Sequence, residues 1–320
     1  MTSTRVLVTG GAGFIGTNLV RYLAERNDFQ VIVLDDLSVV PSARRLPPGI
    51  DFRRGDFTDA RTLADALDGI DVIVHLAALS GVMDSVVDPA PSFAINVAGS
   101  FHLLEAARRA GVGNIIVAST GGALLGEVTP PISEAMAPSP LSPYGATKLA
   151  MEGYCSAFAG AYGLACAALR FSNIYGPYSA HKKSVVAAFI KKALSGEKLV
   201  VYGDGTQRRD YLFVGDLVRG IEAAIRQRVT GTYQLGSGRG TSLLELMAAL
   251  EEVSGHRLSV DYQPARRGEV HSTWCDISKA GREFGYVAPT PLAEGLRPTW
   301  NWFAETQAEW VNDTVSVPSD

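Results

Sequence analysis

Tyr144 and Lys148 stand four residues apart in YGATK, a spacing that puts both side chains on one face of a helix. A free tyrosine is a poor base near neutrality, because its pKa is about 10. A neighbouring ammonium favours the phenolate, and a second cation nearby would favour it further. Bringing the phenol down by roughly three units takes about 4 kcal/mol, which two cations in a dry site can supply. Ser119 and Thr120 close a strand-like apolar run, and a hydroxyl there can line up an alcohol oxygen with Tyr144 for proton transfer. Thr120 is the first choice for that role, with Ser119 the alternative should the loop shift by one.

Near the N-terminus, VTGGAGFIG spans residues 8–16, and Gly10, Gly13 and Gly16 follow a strand and open a helix. Glycines there make a tight turn, let backbone approach a pyrophosphate and let the helix pack on the sheet. Phosphates then meet the positive end of the helix dipole. Asp35 ends the next strand, nineteen positions after Gly16, where a carboxylate can hydrogen-bond both ribose hydroxyls and repel a 2′-phosphate. The expected cofactor is therefore NAD, whose oxidised nicotinamide is the second cation beside Tyr144. Asp36 is either a further contact or a turn residue.

These residues need a scaffold, and the pattern around them supplies one. Short Val- and Ile-rich runs at 5–9, 31–34, 71–76, 114–119 and 165–171 read as buried parallel strands. Helical spacing recurs after residue 14, after residue 60, and over 89–110 and 144–162. Strands alternating with helices predict an α/β fold, a doubly wound parallel sheet of Rossmann type. After residue 173 the rhythm changes: helices are expected over 184–194 and 216–227, strands over 199–202 and 232–235. The stretches 242–262 and 277–303 read as a smaller C-terminal substrate-binding lobe. The expected division is a cofactor domain over 1–172, rejoined by about 203–240, a lobe within 173–310 and a tail over 311–320.

Composition narrows the function classes. At about 150 residues per domain, 320 residues suggest roughly two domains. With 47% hydrophobic and 19% charged residues and a net charge of −4, there is no concentrated basic surface for nucleic acid. Three cysteines, Cys155, Cys166 and Cys275, show no Cys-x-x-Cys spacing, which fits neither a disulfide framework nor structural zinc. His102, His181, His256 and His271 have no metal-ligand spacing, so no metal is expected, and His75 sits inside an apolar strand as a structural histidine. No apolar run reaches the length of a membrane span, and the chain enters its first strand at once, so a cytoplasmic protein is expected.

The glycine spacing is Gly-x-x-Gly-x-x-Gly, and further pieces come in order: HLAA at 75–78, INVAGSFHLLEAAR around Asn96, STGG at 119–122, YGATK, RFSNIYGP at 170–177, YGDGTQRRDY at 202–211 and ARRGE at 265–269. In this order they resemble the extended short-chain dehydrogenase/reductase family, specifically its nucleotide-sugar epimerases and dehydratases, over nearly the whole chain. The resemblance implies that Lys148 also holds the nicotinamide ribose. It places Phe14, Ile15, Asp56, Phe57, Leu76, Ala77, Ala78, Ser80, Asn96 and Ser119 around the cofactor. It places Asn173, Val185, Val200, Tyr202 and Glu269 around a nucleotide sugar, with Arg209 and Arg266 on its diphosphate, where guanidinium forks match phosphate oxygens. Lys182 and Lys183 add charge that could reflect an acidic sugar. A homodimer through the helices at 89–110 and 144–162 is implied as well.

The residues after Thr120 separate the possible reactions. Sugar-nucleotide 4,6-dehydratases resembling this chain carry Asp-Glu there, whereas this sequence has Gly121, Gly122 and Ala123. Elimination of water needs a second proton-transfer residue; 4-epimerisation needs one base and a hydride acceptor. The expected activity is NAD-dependent 4-epimerisation of a UDP-hexose of the glucose/galactose type through a 4-keto sugar. The alternatives are a 4,6-dehydratase, a uronate decarboxylase, a 4-epimerase of UDP-glucuronate or UDP-GlcNAc, and a non-catalytic NAD-binding regulator. One departure is Leu125-Gly126, where similar epimerases carry Tyr-Gly.

Overall fold

The structure, a computed structural model, describes residues 3–265 and 271–314. The first half alternates as the sequence pattern requires: β1 (Thr4–Thr9), α1 (Phe14–Ala24), β2 (Phe29–Asp35), β3 (Asp51–Arg54), α2 (Ala60–Ala66) and β4 (Val72–His75). Next come α3 (Val82–Val87), α4 (Pro89–Phe93), a π-helical turn over Ala94–Gly99, α5 (Ser100–Ala110), β5 (Asn114–Thr120), α6 (Pro143–Tyr162) and β6 (Ala165–Phe171). The remaining chain gives β7 (Asn173–Tyr175), α7 (Val185–Leu194), β8 (Leu199–Tyr202), β9 (Arg208–Arg209), β10 (Tyr211–Phe213), α8 (Val214–Gln227) and β11 (Gly231–Leu235). It closes with β12 (Thr241–Ser242), α9 (Leu243–Ser254), β13 (Val260–Gln263), β14 (Ser272–Thr273), α10 (Ser278–Phe284), α11 (Leu292–Glu305) and α12 (Gln307–Thr314).

The central sheet has seven strands in the order β11-β6-β5-β4-β1-β2-β3, every neighbouring pair parallel. Val6, Leu7 and Val8 of β1 are fully buried, as a central strand covered on both faces requires. One face is sealed by α1 and α8, whose Leu19, Leu23, Leu217 and Ile221 join Val6 and Val33 in a core. The other is sealed by α2, α5 and α6 through Leu63, Leu103, Leu104 and Met151. The chain leaves β1 in one direction to β2 and β3 and returns on the other side at β4, so a crevice opens above the carboxyl ends of β1 and β4. A third core, built on Ile190, Leu246, Leu250, Leu296 and Phe303, belongs to α7, α9 and α11.

The doubly wound fold with its additional lobe is as expected, and four local details differ. The short strand β3 and the helix α3 carry too little hydrophobic periodicity to stand out in sequence. The helix expected over 89–110 contains the π turn, which re-aims Asn96 toward the β4 loop. The 277–303 stretch is not one lobe segment: Tyr233 of β11 meets Phe284 of α10 edge to face at 5.1 Å, so α10 packs on the main sheet while α11 packs in the lobe. Strand β11 and helix α8 likewise lie on the main sheet, whereas β10 pairs with β7 outside it.

Candidate active site

Helix α6 begins at Ser142, whose hydroxyl accepts the Gly145 N–H at 3.1 Å, with Pro143 in the first turn. That start fixes Tyr144 at the mouth of the crevice, and the Ser85 hydroxyl accepts the Tyr144 N–H at 3.1 Å. One turn on, Lys148 is buried; its Nζ donates to the Ala118 carbonyl of β5 at 2.9 Å and lies 5.9 Å from the Tyr144 ring centre. Thr120, the last residue of β5, lines the same wall. Ser119 points elsewhere: its hydroxyl donates to Glu152 Oε1 at 2.6 Å, and Arg170 of β6 grips the same carboxylate twice, at 2.9 and 2.8 Å. The Ser119 hydroxyl is thus engaged by this buried pair, although both Ser119 and Thr120 line the crevice.

In the protein alone, burial dominates the electrostatics of this pair. Burial pushes the Tyr144 phenol up to about 12 and the Lys148 ammonium down to about 8. The phenol is therefore not held below its free value by Lys148 alone, because desolvation outweighs one ammonium at this distance. His75 fits its structural reading: it is buried between the Thr9 hydroxyl at 2.7 Å and the Ser100 hydroxyl at 3.0 Å, and burial lowers it to about 3.

The crevice has a volume of about 780 Å³. Gly10 adopts φ +69°, and a Cβ there would sit 2.6 Å from the Ala77 amide nitrogen. At Gly16 a Cβ would fall 2.3 Å from the Gly10 carbonyl oxygen. The turn thus closes only around hydrogen, and the first-turn N–H groups of Phe14 and Ile15 remain without intrahelical acceptors at the crevice wall. Asp35 is held at the end of β2 by the Ala12 N–H at 3.0 Å and the Leu37 N–H at 2.8 Å. A glycine cradle, a helix N-terminus and a fixed carboxylate in one crevice fit a dinucleotide.

Most residues assigned to the cofactor line this crevice: Gly10, Gly13, Phe14, Ile15, Gly16, Asp35, Asp36, Asp56, Phe57, Leu76, Ala77, Ala78, Ser80 and Ser119, with Thr120, Tyr144, Lys148 and Asn173 beyond them. Asp36 and Asp56 also hold turns, accepting the N–H of Ser38 and Thr58. Asn96 does not itself line the crevice: it is buried, and its amide exchanges two 2.9 Å bonds with the Leu79 backbone and reaches Thr147 at 3.2 Å. It shapes the β4 loop from behind.

Val185, Val200, Tyr202 and Arg209 do not line the crevice. Val185 packs on the lobe core, β8 pairs with β13, and Arg209 Nη1 donates to the carbonyls of Arg208 and His271. Arg266 and Glu269 lie outside the described residues. Sequence reasoning missed Ser85, His181, Ser184 and Glu152. Glu152 was findable, since it follows Lys148 by four on the helix face that starts with Tyr144; Ser85 gave no signal.

Comparison with known proteins agrees with this geometry. Residues 6–236 match the NAD dependent epimerase/dehydratase family. The UDP-glucose 4-epimerase of Mycolicibacterium smegmatis is 36% identical over 312 residues, covering 93% of this chain and 98% of that one. A dTDP-glucose 4,6-dehydratase of Streptomyces griseus is 35% identical over 325 residues, covering 96% of each. The crystal structure of a UDP-glucose 4-epimerase from Thermotoga maritima, with UDP-glucose, has a TM-score of 0.89 at 37% identity, covering 95% of this chain and all of that one. The chain belongs to the NAD dependent epimerase/dehydratase family.

Proposed function

Within the family to which this chain belongs, we propose an NAD-dependent nucleotide-sugar 4-epimerase acting on a UDP-hexose of the glucose/galactose type. The observation that carries this reading is the sequence after Thr120, which continues as Gly121, Gly122 and Ala123 and offers no second proton-transfer group there. A dehydratase must protonate a leaving hydroxyl as well as remove a proton, whereas an epimerase can work with one reversible base.

NAD, when bound, supplies a reversible hydride acceptor at the sugar carbon and a positive charge beside the phenol. Tyr144 takes the proton of the hexose 4-hydroxyl and returns it after the 4-keto sugar has presented its opposite face. Thr120 orients that oxygen by hydrogen bonding. Lys148 keeps a positive charge near the phenol, and Asn173, which also lines the crevice, contacts the sugar or its diphosphate. Gly10, Gly16 and Asp35 hold the dinucleotide, with the Asp35 carboxylate favouring NAD over its 2′-phosphorylated form. Arg209 and Arg266 are assigned to the nucleotide diphosphate on resemblance, and Glu269, Val185, Val200 and Tyr202 to its surroundings.

A homodimer is part of the reading. Phe93, Phe101 and Tyr154 remain exposed on α4, α5 and α6, and Phe101 and Tyr154 sit 5.2 Å apart as one aromatic patch suited to a second copy. No helix among the described residues is long and apolar enough to cross a membrane.

The test is a substrate panel. Purified protein is incubated with UDP-glucose, UDP-galactose, UDP-glucuronate, UDP-GlcNAc and dTDP-glucose, and products are resolved by chromatography and mass. Interconversion of UDP-glucose and UDP-galactose without mass change is expected. A product lighter by one water, or by carbon dioxide from UDP-glucuronate, would overturn the epimerase assignment.

A further inference from the structure

Lys182 lines the crevice although it comes from the loop between β7 and α7. Its Nζ crosses to the β4 loop and donates to the Ser80 hydroxyl at 3.0 Å. The loop is built to hold that position. Asn18 of α1 donates to Pro177 O at 3.0 Å while also bonding Phe14 O in the first turn of its own helix. Arg21 stacks over Tyr178 at 5.6 Å, and the Ser179 hydroxyl closes the bend on Gly176 O at 2.7 Å. The chain preceding Lys182 is thus tied to the helix whose N-terminus faces the crevice.

Two surrounding facts give this ammonium a purpose. It is mostly withdrawn from water, yet its partner among the described residues is a neutral hydroxyl; Asp84, the nearby carboxylate, pairs with the exposed Lys183 at 3.7 Å. A cation in that position is left short of counter-charge until an anion arrives. Ser80 lies three residues after Ala77, against which Gly10 closes, so the ammonium sits on the loop that borders the glycine turn. Of the other carboxylates lining the crevice, Asp35 and Asp36 stand at the end of β2 and Asp56 just after β3, and Asp35 is engaged by the Ala12 and Leu37 N–H groups, while Asp84 lies in α3 and Asp88 follows it.

We propose that Lys182 is a diphosphate clamp: on ligand binding it turns from Ser80 to an oxygen of the dinucleotide's diphosphate. The inference rests on the reading of the crevice as a dinucleotide site. It gives the cofactor a contact from outside the sheet domain and couples cofactor retention to the position of the 177–184 loop.

The experiment measures NAD, ADP-ribose and UDP affinity of the purified full chain by titration calorimetry for wild type, Lys182→Met and Lys182→Arg, at low and moderate salt. Lys182→Met is expected to weaken NAD and ADP-ribose about tenfold or more, to flatten their salt dependence and to leave UDP unchanged, with Lys182→Arg recovering most of the loss. Equal ADP-ribose affinity in wild type and Lys182→Met, a loss confined to UDP, or an equal loss in both variants would each overturn the clamp. Wild-type protein that takes up no NAD or ADP-ribose would instead overturn the dinucleotide reading on which it stands.

Discussion

Replacing Lys148 by Met tests the coupling at the heart of the site. The ammonium lies 5.9 Å from the centre of the Tyr144 ring. With the phenolate charge placed at the ring centre and an effective dielectric of about 20, a unit charge at that distance is worth about 2.8 kcal/mol, or roughly two pKa units. Burial already pushes the phenol up to about 12, so losing the ammonium moves it further from working pH. Because the base acts as phenolate, activity climbs with pH on the acid side. In Lys148→Met that limb is expected to move up by about two units, with kcat at neutral pH down roughly a hundredfold. The assay is kcat against pH on the substrate the panel identifies, under saturating NAD so that cofactor loss is separated from proton transfer. A Lys148→Met profile whose acid limb stays within half a unit of wild type would refute the electrostatic argument, even if the rate falls.

Tyr144→Phe removes the base, and kcat is expected to fall by about 10²–10⁴ with substrate affinity nearly unchanged; wild-type turnover would exclude the mechanism. Gly16→Val forces a side chain onto the Gly10 carbonyl, and the variant is expected to lose NAD binding in calorimetry or to fail to fold in circular dichroism. Glu152→Ala strands the buried Arg170 guanidinium, for an expected loss of about 3–5 kcal/mol in urea unfolding, less severe when Arg170→Met accompanies it. The buried Lys148 is neutral in the folded chain above about 8 but protonated in the unfolded chain up to its ordinary value near 10.5. The unfolded state then binds more protons, so this residue's share of stability rises with pH across that window, and Lys148→Met is expected to lose the rise in melts at a series of pH values. Tyr154→Glu together with Phe101→Glu is expected to give monomers in analytical ultracentrifugation, and an unchanged mass would remove the proposed dimer face.

The parts legible in sequence are those where one local rule decides the outcome. Val- and Ile-rich runs flanked by helical spacing made the sheet readable. The glycine turn was readable because φ at Gly10 and contact at Gly16 exclude a side chain. Tyr144 and Lys148 share a face because four residues make about one turn. The hidden parts depend on contacts far along the chain. The Ser119 hydroxyl is held by Glu152, itself gripped by Arg170, thirty-three and fifty-one residues away from Ser119. Asn96, which binds Leu79, lies within a π turn, and nothing in AINVAG announces that turn. The placement of α10 was missed because its apolar positions suit either neighbour; contact with Tyr233 and Tyr286 settles it.

The order in which the strands are threaded bears on how such a chain can be altered. Edge strand β11 and its covering helix α8 arrive only after β7 to β10 have been laid down elsewhere, so a protein cut after residue 172 would leave one flank of β6 unpaired and half of one face bare. The two halves are therefore not exchangeable cassettes. The third core is likewise assembled from two stretches, α7 before β11 and α9 and α11 after it, so any redesign of the lobe has to be made in place on both sides of that strand.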